Sequence, residues 1–278
     1  FEPRTAMSDN PRTKNETKSP RPDGRSARSR LRAERTRRRR VRARRRKAAI
    51  ATGITALLLG GGTALAIGTA NGGAAGGRVT MPANASGADG TVIVYGRATA
   101  RNTLDVWEDF RCPYCGRLER TDGEAIQRLA DTGVYKIQYH MGTFLDGNLG
   151  GHGSMEALQA AGAALDEGAA RFKAFHDVLY AGQPDERTDD FADKDRLLAL
   201  AAKVPGLATP GFAKAVKDGA YAGWAHKVSD AFTRSGVDGT PTLKLNGRPL
   251  AVLDGTGNPI APAQYTALIQ QSVSGRSR

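Results

Sequence analysis

The chain has 278 residues, and its formal net charge of +13 is distributed very unevenly. Residues 1–47 contain 19 Lys and Arg against 5 Asp and Glu, whereas residues 48–278 contain 22 basic and 23 acidic side chains. The positive charge therefore belongs to the N-terminal segment, and the remainder is close to neutral. Cys112 and Cys115, the two cysteines of the sequence, are too few and too closely spaced for a small disulfide-rich scaffold.

Residues 1–47 are rich in Arg, Ser and Pro and hold almost no large apolar side chains. Such a segment buries too little surface to offset its chain entropy, so we predict a disordered basic tail. Its densest basic run, residues 35–47, either sets membrane topology or binds anionic lipid headgroups. The tail lacks interleaved aromatic side chains and any nucleic-acid-binding fold, so we expect no nucleic-acid partner.

Residues 48–70 contain no charged side chain. As a helix they would be about 35 Å long, enough to cross a hydrocarbon core of about 30 Å. We predict a single transmembrane helix, a signal anchor with a cytoplasmic N-terminus, because the basic residues lie on its N-terminal flank. A cleaved signal peptide is the alternative. Both interpretations place the rest of the chain outside the cytoplasm, and the anchor places it at the cell membrane.

Residues 71–90 are rich in Gly, Ala and Ser, and we interpret them as a flexible linker. A folded α/β domain is predicted at 91–274, with a helical insertion at about 152–235. Its predicted strands are 91–95, 103–107, 134–140, 242–245 and 250–252, the last two joined at an Asn246-Gly247 turn. Its predicted helices are 112–132 with a break near Gly123, 155–165, 169–179, 194–203, 212–220, 221–233 and 263–273.

The cysteine pair in Cys112-Pro113-Tyr114-Cys115 follows a predicted strand and opens a predicted helix. At a helix N-terminus the unpaired N–H groups and the helix dipole favour the thiolate of the first cysteine, which is the reactive form. Pro113 suits a first helical turn, because it has no N–H to leave unpaired. A bridge across two residues stabilises a fold poorly, which favours a chemical role for the pair.

Two other interpretations of this pair remain open. A zinc site would need two further ligands from the four histidines or the carboxylates. An inert structural bridge needs no other residue. We expect neither a metal nor a cofactor.

The segment Val106-Trp107-Glu108-Asp109-Phe110-Arg111-Cys112-Pro113-Tyr114-Cys115-Gly116 resembles the active-site segment of DsbA-like disulfide oxidoreductases, especially the actinobacterial membrane-anchored type. The segment Val237-Asp238-Gly239-Thr240-Pro241-Thr242-Leu243-Lys244-Leu245-Asn246-Gly247 resembles the second signature of that family. The resemblance covers about 91–273. It implies a thioredoxin-like fold with an inserted helical domain.

The resemblance also implies roles for individual residues. Cys112 would be the nucleophile and Cys115 the resolving cysteine, and Pro241 would follow a cis peptide bond. The backbone of Thr240 and Pro241 would pair with an extended substrate segment, as a strand adds to a sheet edge. An ordinary trans turn at Thr240-Pro241 is the alternative.

One position departs from the pattern of thioredoxins and many relatives, which keep a buried acid six residues before the first cysteine. Here that residue is Val106. Glu108 shares the face of Val106 on an alternating strand and is our candidate proton acceptor for Cys115; a solvated or capping carboxylate is the alternative. Asp109, on the opposite face, would cap the helix or contact Arg111.

Other large or titratable side chains are expected to have structural roles. Trp224, Phe172 and Phe175 would fill the core of the helical block. His176 and His226 are expected at the surface or partly buried.

The sequence thus predicts a thiol-disulfide oxidoreductase that donates a disulfide to reduced, exported proteins. A quinone-linked membrane partner of the DsbB or VKOR type would reoxidise it, as the resemblance implies. The alternatives are a reductase or isomerase on the same fold, and a non-catalytic peptide-binding module.

Overall fold

The computed structural model describes residues 79–275. The predicted tail at 1–47 and the predicted transmembrane helix at 48–70 lie outside these residues. Within 79–275, no helix is both long enough and apolar enough to cross a membrane.

A six-stranded mixed sheet organises the described part of the chain. The strand order is β1-β2-β4-β3-β5-β6. β3 and β4 are parallel, and the remaining neighbours are antiparallel. The bounds of the strands are β1 Ala85–Ser86, β2 Val92–Tyr95, β3 Thr103–Glu108, β4 Lys136–Met141, β5 Thr242–Leu245 and β6 Arg248–Leu250. The predicted α/β class is confirmed, and β3 lies inside the sheet.

Between residues 79 and 275, eight α-helices surround and extend this sheet. Their bounds are α1 Pro113–Asp131, α2 Phe144–Leu149, α3 Gly153–Asp166, α4 Ala169–Ala181, α5 Lys194–Ala201, α6 Pro210–Asp218, α7 Ala222–Arg234 and α8 Pro262–Ser274. Helices α2 to α7 lie between β4 and β5 in the sequence; α3 to α7 fall within 152–235, and α2 precedes that range. Helix α1 begins five residues after β3 ends and contacts both α4 and α8.

The helical block has its own well-packed core. Trp224, Phe172 and Phe175 are completely buried there, as predicted. Gly162 of α3 faces Trp224 of α7 so closely that an added Cβ would lie 2.7 Å from a ring carbon. A residue without a side chain is therefore what allows α3 and α7 to pack at this distance.

The interpretation of 71–90 as a flexible linker is wrong for residues 79–90. Ala85–Ser86 adds the edge strand β1 to β2, and Pro82 is buried. The Asn84 side-chain amide donates to the carbonyl oxygen of Leu165, and the indole N–H of Trp224 donates to that of Gly90. Small residues are typical of linkers, but here they let the segment lie close against the helical block.

The structure differs from the predicted elements at α2 and near Gly123, and it agrees with them at the Asn246-Gly247 turn. Helix α2 was not predicted, because its six residues contain Gly147 and Asn148 and bury no side chain. The break expected near Gly123 does not occur, and α1 is continuous. The turn at Asn246-Gly247 is confirmed, with φ of 52° and 78° joining β5 to β6.

Candidate active site

Cys112 and Cys115 lie at the junction that the sequence predicted, between β3 and α1. Cys112 is the N-cap of α1 and Cys115 lies in its first turn. Both are free thiols; Cys112 is 4% exposed and Cys115 is completely buried. The Cys112 carbonyl oxygen accepts hydrogen bonds from the Gly116 N–H and from the Gln183 side chain. One sulfur is therefore near the surface and the other lies behind it.

The surroundings of Cys112 favour its thiolate. A hydrogen bond from the Cys115 thiol is the largest cause that lowers the pKa of Cys112, from 9.0 to about 7. Burial opposes this shift, while the side chain of Thr240 and the backbone N–H groups of Cys115 and Tyr114 reinforce it. The helix N-terminus thus contributes through specific N–H groups, as expected.

Cys115 has the opposite character. Burial raises its pKa well above 9.0, and the neighbouring Cys112 and the negative charge of Glu108 raise it further. At neutral pH the thiolate form is therefore favoured at Cys112, whereas Cys115 stays protonated.

The Thr240-Pro241 peptide bond is cis, as the resemblance implies. This loop immediately precedes β5, and the Cys112 thiol donates to the carbonyl oxygen of Thr240 with an Sγ–O distance of 3.4 Å. The loop and the cysteine pair thus face each other, although 128 positions separate Cys112 from Thr240.

The two residues between the cysteines line opposite sides of the site. Tyr114 is 41% exposed, and the guanidinium of Arg117 lies 4.4 Å from its ring centroid. Pro113 borders an open groove of about 540 Å³ that is completed by Arg120 and the loop 183–187. A partly exposed surface therefore lies beside Cys112, with the Tyr114 ring and a groove of mainly polar and charged lining.

A polar network that the sequence did not reveal holds the loop before Cys112. Arg111 is 2% exposed and pairs with Asp146 at 2.7 Å and with Asp189 at 3.1 Å. Asp109 is completely buried and accepts hydrogen bonds from the backbone N–H groups of Arg111 and Leu145. Asp109 therefore joins the loop before Cys112 to α2 rather than capping α1.

Behind Cys115, Glu108 belongs to a buried ionisable cluster. Glu108 is completely buried on the face that it shares with Val106. Its Oε2 lies 2.8 Å from His176 Nε2, and its Oε1 has no hydrogen-bond partner among the described residues. The expectation that His176 lies at the surface or partly buried is wrong: it is completely buried, and its ring is enclosed by Phe110, Tyr139, Phe172 and Tyr180. His226 is exposed, as expected.

Glu108, Glu119 and His176 are also the residues of the described chain best placed to hold a metal ion, with ligand-type atoms within 4.8 Å of one another. However, His176 Nε2 and Glu108 Oε2 are directly hydrogen bonded to each other at 2.8 Å. Zinc ligands at about 2.0–2.1 Å from the ion would be further apart than this. We therefore interpret the group as a hydrogen-bonded cluster.

This fold and this site define a thioredoxin-like protein. The family model described as Thioredoxin matches residues 88–271, and the chain belongs to that family.

Solved structures give a finer comparison. The chain is similar to reduced DsbA from Mycobacterium tuberculosis (26% identity, TM-score 0.54, 66% of this chain and 92% of that chain). It is also similar to the reduced disulfide bond oxidoreductase DsbG from the same organism (27% identity, TM-score 0.53, 66% and 86%). MdbA, a thiol-disulfide oxidoreductase from Actinomyces oris, shares the fold (23% identity, TM-score 0.53, 65% and 88%). The resemblance to DsbA-like proteins is confirmed.

A curated relative gives a more partial match. The chain is 33% identical over 155 residues to the Na(+)/H(+) antiporter NhaA 3 of Salinispora tropica, which is 56% of this chain. The match spans only 22% of that relative's length.

Proposed function

We propose that this protein is a thiol-disulfide oxidoreductase that donates the Cys112–Cys115 disulfide to reduced, exported proteins. The observation that carries the proposal is the contrast between the two thiols. The pKa of Cys112 is lowered to about 7 and that of Cys115 is raised. A stabilised Cys112 thiolate is a good leaving group and makes the disulfide a stronger oxidant.

The reaction comprises two exchanges. A substrate thiolate attacks Cys112 Sγ, the Cys112–Cys115 bond breaks, and Cys115 departs with the electron pair and takes up a proton. The second substrate thiolate then attacks the substrate sulfur of the mixed disulfide, and Cys112 departs as a thiolate. Two electrons pass from the substrate to the enzyme, and the substrate gains one disulfide.

Thr240 and Pro241 form the substrate-binding loop in this proposal. The Thr240 carbonyl oxygen lies 3.4 Å from Cys112 Sγ, so a peptide attached to Cys112 passes directly along this loop. Its extended backbone pairs with the loop as an added strand. The groove beside Pro113 and the exposed ring of Tyr114 contact the substrate on either side.

Glu108 is the proton acceptor and donor for Cys115. Its charge acts on Cys115, and its Oε1 has no competing hydrogen bond among the described residues. It supplies a carboxyl group on the buried face of β3, where Val106 stands in the position of the usual acid. The proton that Cys115 takes up during substrate oxidation comes from this carboxyl group and returns to it during reoxidation.

We further propose that the chain works outside the cytoplasm, anchored by residues 48–70 with its N-terminal tail at 1–47 in the cytoplasm. The proposal rests on the uncharged stretch and its basic flank. Disulfide donation fits that side of the membrane, because cytosolic thiols are kept reduced. A membrane partner of the DsbB or VKOR type reoxidises the enzyme.

The reduction potential tests the direction of the reaction. We expect a value near −120 mV from equilibration with glutathione, as for a strong oxidant, because the reduced state is stabilised through Cys112. A value near −270 mV would favour the alternative, a reductase or isomerase. Cys115→Ala, in which no intramolecular disulfide can form, is the control for the assay. A non-catalytic peptide-binding module would transfer no disulfide at all.

A further inference from the structure

We propose that His176 and Glu119 connect Glu108 to solvent, so that the proton of Cys115 enters and leaves through a cavity between α1 and α4 rather than past Cys112. The inference rests on the proposed function, in which Glu108 exchanges a proton with Cys115. It adds the residues that carry this proton between Glu108 and solvent.

Among the described residues, His176 provides the route by which a proton on Glu108 can reach solvent. His176 Nε2 contacts Glu108 Oε2 at 2.8 Å, and its Nδ1 lies 3.4 Å from Asp177 Oδ1 and 4.0 Å from Glu119 Oε2. Four aromatic rings cover the rest of the imidazole. Its two nitrogens therefore form a bridge between the carboxyl group near Cys115 and the carboxyl groups on the other side.

Glu119 is an unusual residue for a purely structural cluster. Its side chain is 3% exposed, yet neither carboxylate oxygen has a hydrogen-bond partner among the described residues. Buried carboxylates in structural networks are normally paired, because an unpaired one is costly. Glu119 is thus free to gain and lose a proton without breaking a hydrogen bond.

A cavity of about 270 Å³ lies next to Glu119 and opens between α1 and α4. Gln127, Asp177 and Gly123 contribute to its lining. An added Cβ at Gly123 would lie 2.9 Å from Glu119 Oε2, so the carboxylate reaches the cavity across the space that this glycine leaves. The close approach of the Glu119 carboxylate explains why position 123 is a glycine although α1 continues unbroken through it.

The titration properties of the cluster agree with this path. Burial and the charge of Glu108 raise the pKa of Glu119 to about 7, so it exchanges protons near neutral pH. Burial opposes ionisation of His176, but Glu108, Asp177 and Glu119 together raise its pKa to about 9, so it carries a proton to pass on. Asp177 stays ionised, since its pKa is lowered by His176 and Lys173 despite burial.

Every element packed against the cluster contributes titratable or charged side chains that act on Glu119 and His176. The side chains that face the cluster are Glu108 from β3, Cys115 and Glu119 from α1, Tyr139 from β4, and Lys173, Asp177 and Tyr180 from α4, with Tyr135 acting on Glu119 from just before β4. Burial raises the pKa of each of these tyrosines, so they remain neutral in the working range. Glu119 and His176 are therefore the groups that exchange protons. They act on Cys115 only through Glu108 and are positioning residues in that sense.

The proton balance is simple. When Cys115 becomes a thiolate, Glu108 gives it a proton and takes up the Nε2 proton of the His176 imidazolium, which is left neutral with its other proton on Nδ1. Glu119 then balances the charge that the imidazolium has lost by taking up a proton. This proton comes from solvent in the cavity. During reoxidation each transfer runs in reverse.

The resolution step tests the path. Reduced protein reacts with oxidised glutathione to form a mixed disulfide at Cys112. Cys115 then loses its proton, attacks Cys112 Sγ and releases glutathione, and the release rate is followed from pH 5 to 9. For His176→Gln and Glu119→Gln we expect release at pH 7 to slow by about 100-fold, the low end of what proton transfer contributes, and the inflection near pH 7 to disappear.

Two further variants separate this path from general damage to the fold. Gly123→Ala is a small substitution that displaces the Glu119 carboxylate, so we expect it to slow glutathione release several-fold. The stability against urea should be unchanged or slightly higher, because Ala favours a helix more than Gly does. His226→Gln, on the exposed surface, should release glutathione at the wild-type rate. If Glu119→Gln and His176→Gln kept the wild-type rate and pH profile, the path would be wrong while the proposed function stood. If the wild-type mixed disulfide were never resolved, the proposed function itself would fail.

Discussion

Cys112 Sγ lies 3.4 Å from the carbonyl oxygen of Thr240, so the proposed nucleophile and the proposed substrate-binding loop are in direct contact. Directly behind this contact, Cys115 is completely buried. The difference in pKa between the two thiols follows from this arrangement, and it leads to the first prediction.

Alkylation of the reduced protein should be confined to Cys112 and should have a pH midpoint at about 7. The reason is that the Cys115 hydrogen bond lowers the pKa of Cys112, whereas burial raises that of Cys115. Mass spectrometry after brief iodoacetamide treatment at each pH measures both thiols.

A matched pair of variants isolates the Cys115 hydrogen bond. Cys115→Ala removes the donor, so the midpoint for Cys112 should rise towards 9.0, whereas Cys115→Ser retains a hydroxyl donor and should stay closer to wild type. Equal midpoints for the two variants would contradict this explanation of the pKa.

The stability of the reduced protein should depend on pH through Cys112. Its pKa is about 7 in the folded state and 9.0 without the fold, so the contribution is fully present above pH 9, declines as the pH falls, and is absent below pH 7. Two pKa units correspond to about 2.7 kcal/mol. Urea unfolding of the reduced wild type and of Cys112→Ser, at pH 6 and pH 9, gives this difference. A pH-independent difference between the two proteins would refute it.

Arg111→Met should destabilise the domain strongly. The substitution removes the guanidinium that pairs with Asp146 and Asp189, and removing one partner of a buried ion pair costs about 3–5 kcal/mol. The exposed pair of Arg187 with Asp185 provides the comparison, because Arg187→Met removes a solvent-screened ion pair and should destabilise the domain far less. Denaturant unfolding measures both, and similar losses would mean that the Arg111 network is not a structural anchor.

Gly162→Ala should destabilise the helical block by about 1–3 kcal/mol, because its Cβ would overlap the ring of Trp224. The control is Gly147→Ala in α2, where an added Cβ has no atom within 4 Å. That change should be stabilising by about 0.5–1 kcal/mol. Thermal unfolding of both variants checks the sign, and a neutral Gly162→Ala would show that α3 and α7 separate easily.

Features that depend on neighbouring residues were predictable from the sequence. The Cys112-Pro113 start of α1 and the Asn246-Gly247 turn are set by local backbone preferences. Alternation along β3 correctly placed Glu108 on the buried face of Val106.

Contacts between distant residues were not predictable in this way. His176 is 68 positions from Glu108, and its helix pattern gave no sign that its nitrogens meet buried carboxyl groups. The packing of residues 79–90 was also missed, because small residues that are typical of linkers also allow close approach to a helix. Both features depend on tertiary packing rather than on local preference.

The most direct test of the proposed activity is transfer of the Cys112–Cys115 disulfide to a reduced, unfolded protein that contains two thiols. The purified oxidised domain should oxidise one substrate molecule for each disulfide that it loses, and Cys112→Ser should oxidise none. Absence of transfer by the wild type, or undiminished transfer by Cys112→Ser, would contradict disulfide donation through Cys112.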